Sequence, residues 1–186
     1  LSQTTPSSPS LFSEGTHPLP RVTSSPTIDG VMNEPAWRLA AEIPRFVLYE
    51  DGSESVWHTS ACLCRDDSTL YIGFRCEDRD IWATHTTRDA SLWQEEAVEI
   101  FIDPDGDGLH YCEIQVNPLG TLLDLVLDKP YSLGGTPDTG WSFEGIITAV
   151  TVQGTLNNSS DQDTCWVCEV SLPFHSFREL APSLHI

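Results

Sequence analysis

The chain has 186 residues, and 9 Lys and Arg against 28 Asp and Glu leave a formal charge of −19. Such a surface repels nucleic-acid phosphates and anionic lipid headgroups, and no Lys/Arg cluster overrides that repulsion locally. No apolar run reaches the roughly 18 residues that span a bilayer, so a membrane-spanning segment is not expected.

Residues 1–19 open a stretch, Leu1–Pro26, that sets five prolines among Ser and Thr with few large apolar side chains. This composition cannot bury enough surface to order itself, and 1–19 is read as a linker or spacer ahead of one domain over 20–186. It lacks the basic-then-apolar order of a signal peptide, and suits the spacer that follows a removed export signal or a lipid-attachment point. A single lysine, Lys129, a single methionine, Met32, and six tryptophans suit an acidic exported or surface-attached protein.

A short helix is expected near Asn33, with Pro35 in its first turn and Trp37, Leu39 and Ala40 following, and a terminal helical turn near Ser176–Leu180. Between them the hydrophobic period is two and turn signals recur every eight to fifteen residues, which predicts an antiparallel β-sandwich, jelly-roll or immunoglobulin-like, with short peripheral helices. Residues 60–77 form a hairpin: Asp66, Asp67 and Ser68 turn the chain, and Leu70, Ile72, Phe74 and Cys76 share a core face. In the next pair Val98, Ile100 and Ile102 point inward with Cys112, Ile114 and Val116. The reverse side carries Glu99 and Phe101, then Tyr111, Glu113, Gln115 and Asn117. Strands continue over 121–127, 144–152 and 166–172, where Trp166, Cys168, Val170 and Leu172 share a side.

Trp93–Asp103 reads WQEEAVEIFID and places an indole just ahead of a strand whose outer face carries Glu99. An indole stacks on the apolar face of a pyranose, and carboxylate or amide groups hold the hydroxyls at its rim, so the pairing suits sugar recognition. The turn Asp103–Gly108, DPDGDG, sets Asp103, Asp105 and Asp107 at alternate positions, a pattern that suits calcium. Position 12 of that pattern is Ile114, which excludes a complete EF-hand. Asp161 and Asp163 form a second acidic pair.

Four ordered segments, IDGVMNEPAW at Ile28–Trp37, LYIGFRCED at Leu70–Asp78, Trp93–Gly120 and GTLNNSSDQDTCWVCEVSLPF at Gly154–Phe174, resemble the family 9 carbohydrate-binding modules and related sugar-binding domains of secreted bacterial proteins. The resemblance implies a non-catalytic module for a poly- or oligosaccharide, structural calcium, a companion catalytic domain in a larger protein, and a sugar sandwiched between two tryptophans. Trp93 and Glu99 match the first tryptophan and its carboxylate; Trp141 or Trp166 is the second, with Trp141 favoured. Where members use an arginine after the acidic turn, this chain offers Glu113, Gln115 and Asn117. Trp57 and Trp82 are read as core or rim.

Six cysteines permit disulfides in an exported protein, but Cys165 and Cys168 point to opposite faces of a strand, against a zinc site. Asn157–Ser160 holds two overlapping glycan-acceptor sequons, which matter only in a eukaryotic secretory host. Two other functions are open to the sequence. Glu95, Glu96, Glu99 and Glu113 could supply a glycosidase carboxylate pair, and Met32 could ligate haem.

Overall fold

A computed structural model describes residues 19–182; the proposed 1–19 spacer lies almost wholly outside them. Among these residues, nine strands form two antiparallel sheets. The first, in the order β1-β2-β3-β9-β8, is built from Ala41–Ile43 (β1), Thr59–Arg65 (β2), Thr69–Glu77 (β3), Cys165–Pro173 (β9) and Ile147–Gln153 (β8). The second, in the order β4-β5-β6-β7, joins Val98–Ile102 (β4), Tyr111–Val116 (β5), Leu122–Leu127 (β6) and Pro137–Asp138 (β7).

The alternation decides how the sheets stack. Ile72 pairs with Val170 and Phe74 with Cys168 across β3 and β9, while Ile100 faces Ile114 across β4 and β5. These rows meet with Trp166, Leu172, Cys112 and Val116 in one buried cluster between the sheets. Each such fully buried aliphatic side chain contributes roughly 1.5–3 kcal/mol relative to exposure.

A second apolar cluster, not anticipated from the sequence, lies on the outer side of the five-stranded sheet. Cys64 and Tyr71 on that side pack with Val22, Ala36 and Trp37, supported by Ile28 and Met32. The N-terminal segment therefore seals this sheet. Its anchor is Glu169 of β9, fully buried, whose Oε2 accepts from the backbone N–H of Asp29 at 2.9 Å and of Gly30 at 2.7 Å. Gly30 is required there, because its φ of +84° is left-handed and a Cβ would lie 2.8 Å from the Thr151 methyl. Met32 is wedged over Gly73, where a Cβ would come within 2.9 Å of its sulfur. That packing role gives the haem reading no support.

The helix expected near Asn33 is a single 3-10 turn, Trp37–Leu39, since Ala40 is already extended with ψ 153°. The expected terminal turn is a 3-10 segment over Phe174–Glu179. The strand predicted over 144–152 starts later, at Ile147, because Gly145 takes a left-handed φ of +72°. All six cysteines are free thiols, and burial pushes Cys76 and Cys112 each up to about 12.

Candidate functional site

The outer side of the four-stranded sheet is not sealed in this way. Across β4, β5 and β6 its side chains form two rows, Glu99–Gln115–Leu123 and Phe101–Glu113–Leu125. Leu123, Leu125 and Leu127 make this side more apolar than the sequence pattern of β5 alone implied, and Leu92 packs on them. Asp124 takes the opposite side of β6, where it is buried, accepts from Arg88 at 2.6 Å and caps the Phe143 N–H at 2.7 Å.

A groove of about 530 Å³ runs over this side, lined by Trp93, Glu99, Phe101, Glu113, Gln115 and Tyr131, with Leu125, Pro137 and Thr139 completing it. Trp93 reaches it from the 3-10 turn Leu92–Gln94. That turn is pinned at both ends: Leu92 is buried among the leucines, and Glu95 accepts from the Thr84 N–H at 2.7 Å and the His85 N–H at 3.0 Å. Partial burial works against its ionisation, yet these N–H donors and the Asn117 amide bring the Glu95 carboxyl down to about 2. The indole between these two anchors stays 56% exposed. A held aromatic ring facing solvent is costly to leave unpartnered and costs little entropy to dock against.

At the groove floor, Glu113 and Gln115 are 4% and 1% exposed. The Gln115 amide donates to Glu113 Oε1 at 2.5 Å, and the Tyr131 hydroxyl donates to Glu113 Oε2 at 3.2 Å. Gln115 Oε1 is buried with no hydrogen-bond partner among the described residues. Although Glu99 keeps an exposed edge, desolvation by its neighbours, and then the nearby Glu113 charge, raise its carboxyl above the usual range. Burial and Glu113 together push the Tyr131 phenol up to about 12. The floor is therefore an acceptor-rich, anionic strip beside aromatic rings, which suits a ligand that brings hydrogen-bond donors and an apolar face.

Of the residues singled out in the sequence, the structure brings Trp93, Glu99, Glu113 and Gln115 together. Trp166 is not among them: at 3% exposure it belongs to the core between the sheets, as its place in the β9 alternation requires. Trp141 also stands outside the groove, edge-on to Phe143 at 5.7 Å with its Nε1 donating to Glu179 at 3.3 Å. Asn117 is consumed by the turn after β5, where its amide donates to His85 O and Glu95 Oε1 and its Oδ1 accepts from the Leu119 and Thr121 N–H groups. Sequence reasoning missed Tyr131, which enters from a 3-10 turn after Pro130, a connection with no hydrophobic period to read.

Trp57 and Trp82 are rim residues, about two-fifths exposed, with the Arg79 guanidinium 5.1 Å from the Trp57 ring centroid. In the turn after β4, carboxylate oxygens of Asp103, Asp105 and Asp107 lie within 4.8 Å of one another. Asp103 is partly committed, accepting from the Gly106 and Gly108 N–H groups. The second acidic pair does not converge on an ion: Asp163 is buried and caps the Ile81 and Thr155 N–H groups at 2.8 and 2.6 Å. Asn157 likewise exchanges two hydrogen bonds with the Ala83 backbone, which leaves its amide unsuited to carry a glycan.

The chain belongs to the carbohydrate family 9 binding domain-like family, whose sequence model matches residues 28–185. This is a family of sugar-binding modules without catalytic activity, so the glycosidase reading of the four glutamates falls. Its fold is similar to that of a family 9 carbohydrate-binding module from Caldicellulosiruptor kristjanssonii, solved with cellotriose (TM-score 0.54, 17% identity, 81% of this chain and 64% of that one). A structure of such a module from the same organism with glucose gives a TM-score of 0.54 at 18% identity, over 83% and 67% of the two chains. A Bacteroides uniformis protein is as similar in fold, at 15% identity over 75% and 63%. The chain thus spans about two thirds of the length of these structures. Comparison with curated protein sequences returned no significant match.

Proposed function

We propose that the chain is a non-catalytic module that holds a saccharide in the groove, one pyranose face stacked on Trp93 and its hydroxyls gripped by Glu99, Glu113 and Gln115. Tyr131, rather than a second tryptophan, supplies the other aromatic contact. The observation that carries this reading is an exposed indole on a turn clamped at both ends, beside a buried carboxylate and a buried amide that line the same groove. A few such contacts correspond to micromolar to millimolar dissociation constants. Calorimetry against cellobiose and its longer oligomers tests it: Trp93→Ala removes the binding heat and leaves the thermal midpoint within about 2 °C, because the ring stabilises little of the core. An equal loss of fold and affinity returns Trp93 to a structural role and overturns the proposal.

The Asp103, Asp105 and Asp107 carboxylates support a calcium ion in the turn after β4, where a divalent cation would relieve their mutual repulsion. Calcium should raise the thermal midpoint of the wild type and leave Asp105→Asn unmoved; an equal response of both proteins places any ion elsewhere. The acidic surface and the Ser/Thr/Pro-rich residues 1–19 support work outside the cell beside a companion catalytic domain. Recovery of the protein only from the cytoplasmic fraction would contradict this.

A further inference from the structure

We propose that the groove selects a sugar carrying a protonated amine, a glucosamine-type unit, over a neutral or acidic sugar of the same shape. The proposal rests on the saccharide reading of the groove and goes beyond it by naming the charge class of the ligand. Two carboxylates, Glu99 and Glu113, line one cavity on adjacent strands, and no Lys, Arg or His among the described residues lines it with them. Arg88 is held by Asp124 on the far side of β6, and Lys129 does not line the cavity. Glu113 is nearly sealed from water, and its two partners, the Gln115 amide and the Tyr131 hydroxyl, are neutral donors that carry no compensating charge. A buried carboxylate without a cationic partner is costly, and a ligand that supplies the missing charge is favoured in proportion.

Gln115 gives the second, independent observation. Its Oε1 is a buried acceptor without a partner among the described residues, on a residue that lines the same cavity, so one acceptor there is left over after the Gln115 and Tyr131 donors are used. The Gln115 amide orientation follows from its neighbour, since reversing it would aim a carbonyl at the Glu113 carboxylate. An ammonium group offers three donors and one positive charge in the space of a hydroxyl, and meets both deficits at once. A uronic acid would bring a third carboxylate against Glu99 and Glu113. The surface charge of −19 acts in the same direction at longer range.

The test compares three β-1,4-linked disaccharides by calorimetry on the full chain, at a pH that keeps the amine protonated: the glucosamine dimer, its N-acetylated form and cellobiose. The glucosamine dimer should bind about tenfold or more tightly than cellobiose at low salt, and the advantage should shrink as salt screens it. N-acetylation, which removes the charge, should abolish the advantage. Glu113→Gln should reduce the preference most, and Glu99→Gln, an exposed position that keeps the fold, should reduce it less. Cellobiose binding as well as or better than the amino sugar overturns the inference and leaves the saccharide reading standing. A preference that survives in both variants assigns it to the general surface charge and also overturns the inference. Binding of none of the three removes both.

Discussion

Each sheet buries a glutamate on its outer side, and the two are treated in opposite ways. Glu169, on β9, lies under the N-terminal segment, where its own chain supplies two backbone N–H donors. Its other oxygen has no partner among the described residues, and burial, with Glu34 and Asp29 nearby, raises its ionisation point above the usual range despite those donors. Glu113, on β5, has only side-chain partners and lines an open groove. A carboxylate capped by its own backbone fastens the fold, because the segment that supplies the N–H donors also covers that side of the sheet. A carboxylate held by side chains beside a cavity, with an unpartnered amide oxygen next to it, is available to a guest. Burial alone therefore does not separate structural from binding residues; whether the side chain lines a cavity that a ligand can enter does.

The same truncation at both positions breaks the comparison if it is false. Glu169→Ala leaves the Asp29 and Gly30 N–H groups without an acceptor, and at roughly 1–3 kcal/mol for each orphaned buried donor the loss should be about 2–6 kcal/mol. Denaturant unfolding should register it as a lower midpoint, while saccharide affinity stays within about twofold of wild type. Glu113→Ala should behave in reverse. It leaves one buried donor, the Gln115 amide, without its acceptor but also removes a charge that repels Glu99, so stability should fall by only about 1 kcal/mol, less than for Glu169→Ala, while affinity drops by about tenfold or more. If Glu169→Ala costs affinity without stability, or Glu113→Ala unfolds the protein with affinity intact, the division between sealed and open sides is wrong.

The division was half legible in the sequence. Val98, Ile100 and Ile102 alternate with Glu99 and Phe101, and that period of two was enough to assign Glu113 and Gln115 to the side of Glu99. The six-residue spacing from Trp93 to Glu99 survives folding because a 3-10 turn pinned by Leu92 leads straight into β4. Asn117 has the same parity as Gln115 and was read with it, but β5 ends at Val116 and the following turn captures the amide. Parity holds only while the strand does. Tyr131 carried no signal because its position depends on a 3-10 turn between β6 and the two-residue β7, and contacts made through irregular backbone leave no period. The apolar cluster under Trp37 is hidden for a related reason: IDGVMNEPAW is visible as a motif, but that its backbone caps Glu169, 139 residues on from Gly30, is a long-range contact.

Glu96 stands between the two extremes and gives the smallest and finest test. Its Oε1 accepts from the Trp82 N–H at 3.2 Å, whereas its Oε2 is buried without a partner among the described residues. Burial, reinforced by Asp78 and Asp80, pushes its carboxyl up to about 7 from 4.5, although the Trp82 donor opposes the shift. A raised carboxyl binds its proton more tightly in the folded chain than in the unfolded one. Its stabilising contribution is therefore complete below about 4.5 and is lost as pH rises toward about 7. Because solvent still reaches part of the group, the loss should be only about 1 kcal/mol. Glu96→Gln keeps an acceptor for Trp82 and carries no titrating proton. The difference in unfolding free energy between the variant and the wild type should therefore grow in the variant's favour across that interval and level off above it. Glu99, Asp124 and Glu169 are present in both proteins, so their own raised ionisation largely cancels in the difference. A difference that stays flat with pH would mean that Glu96 is as open to solvent as Trp93, with which it lines a neighbouring hollow, and that hollow would then belong wholly to the open side.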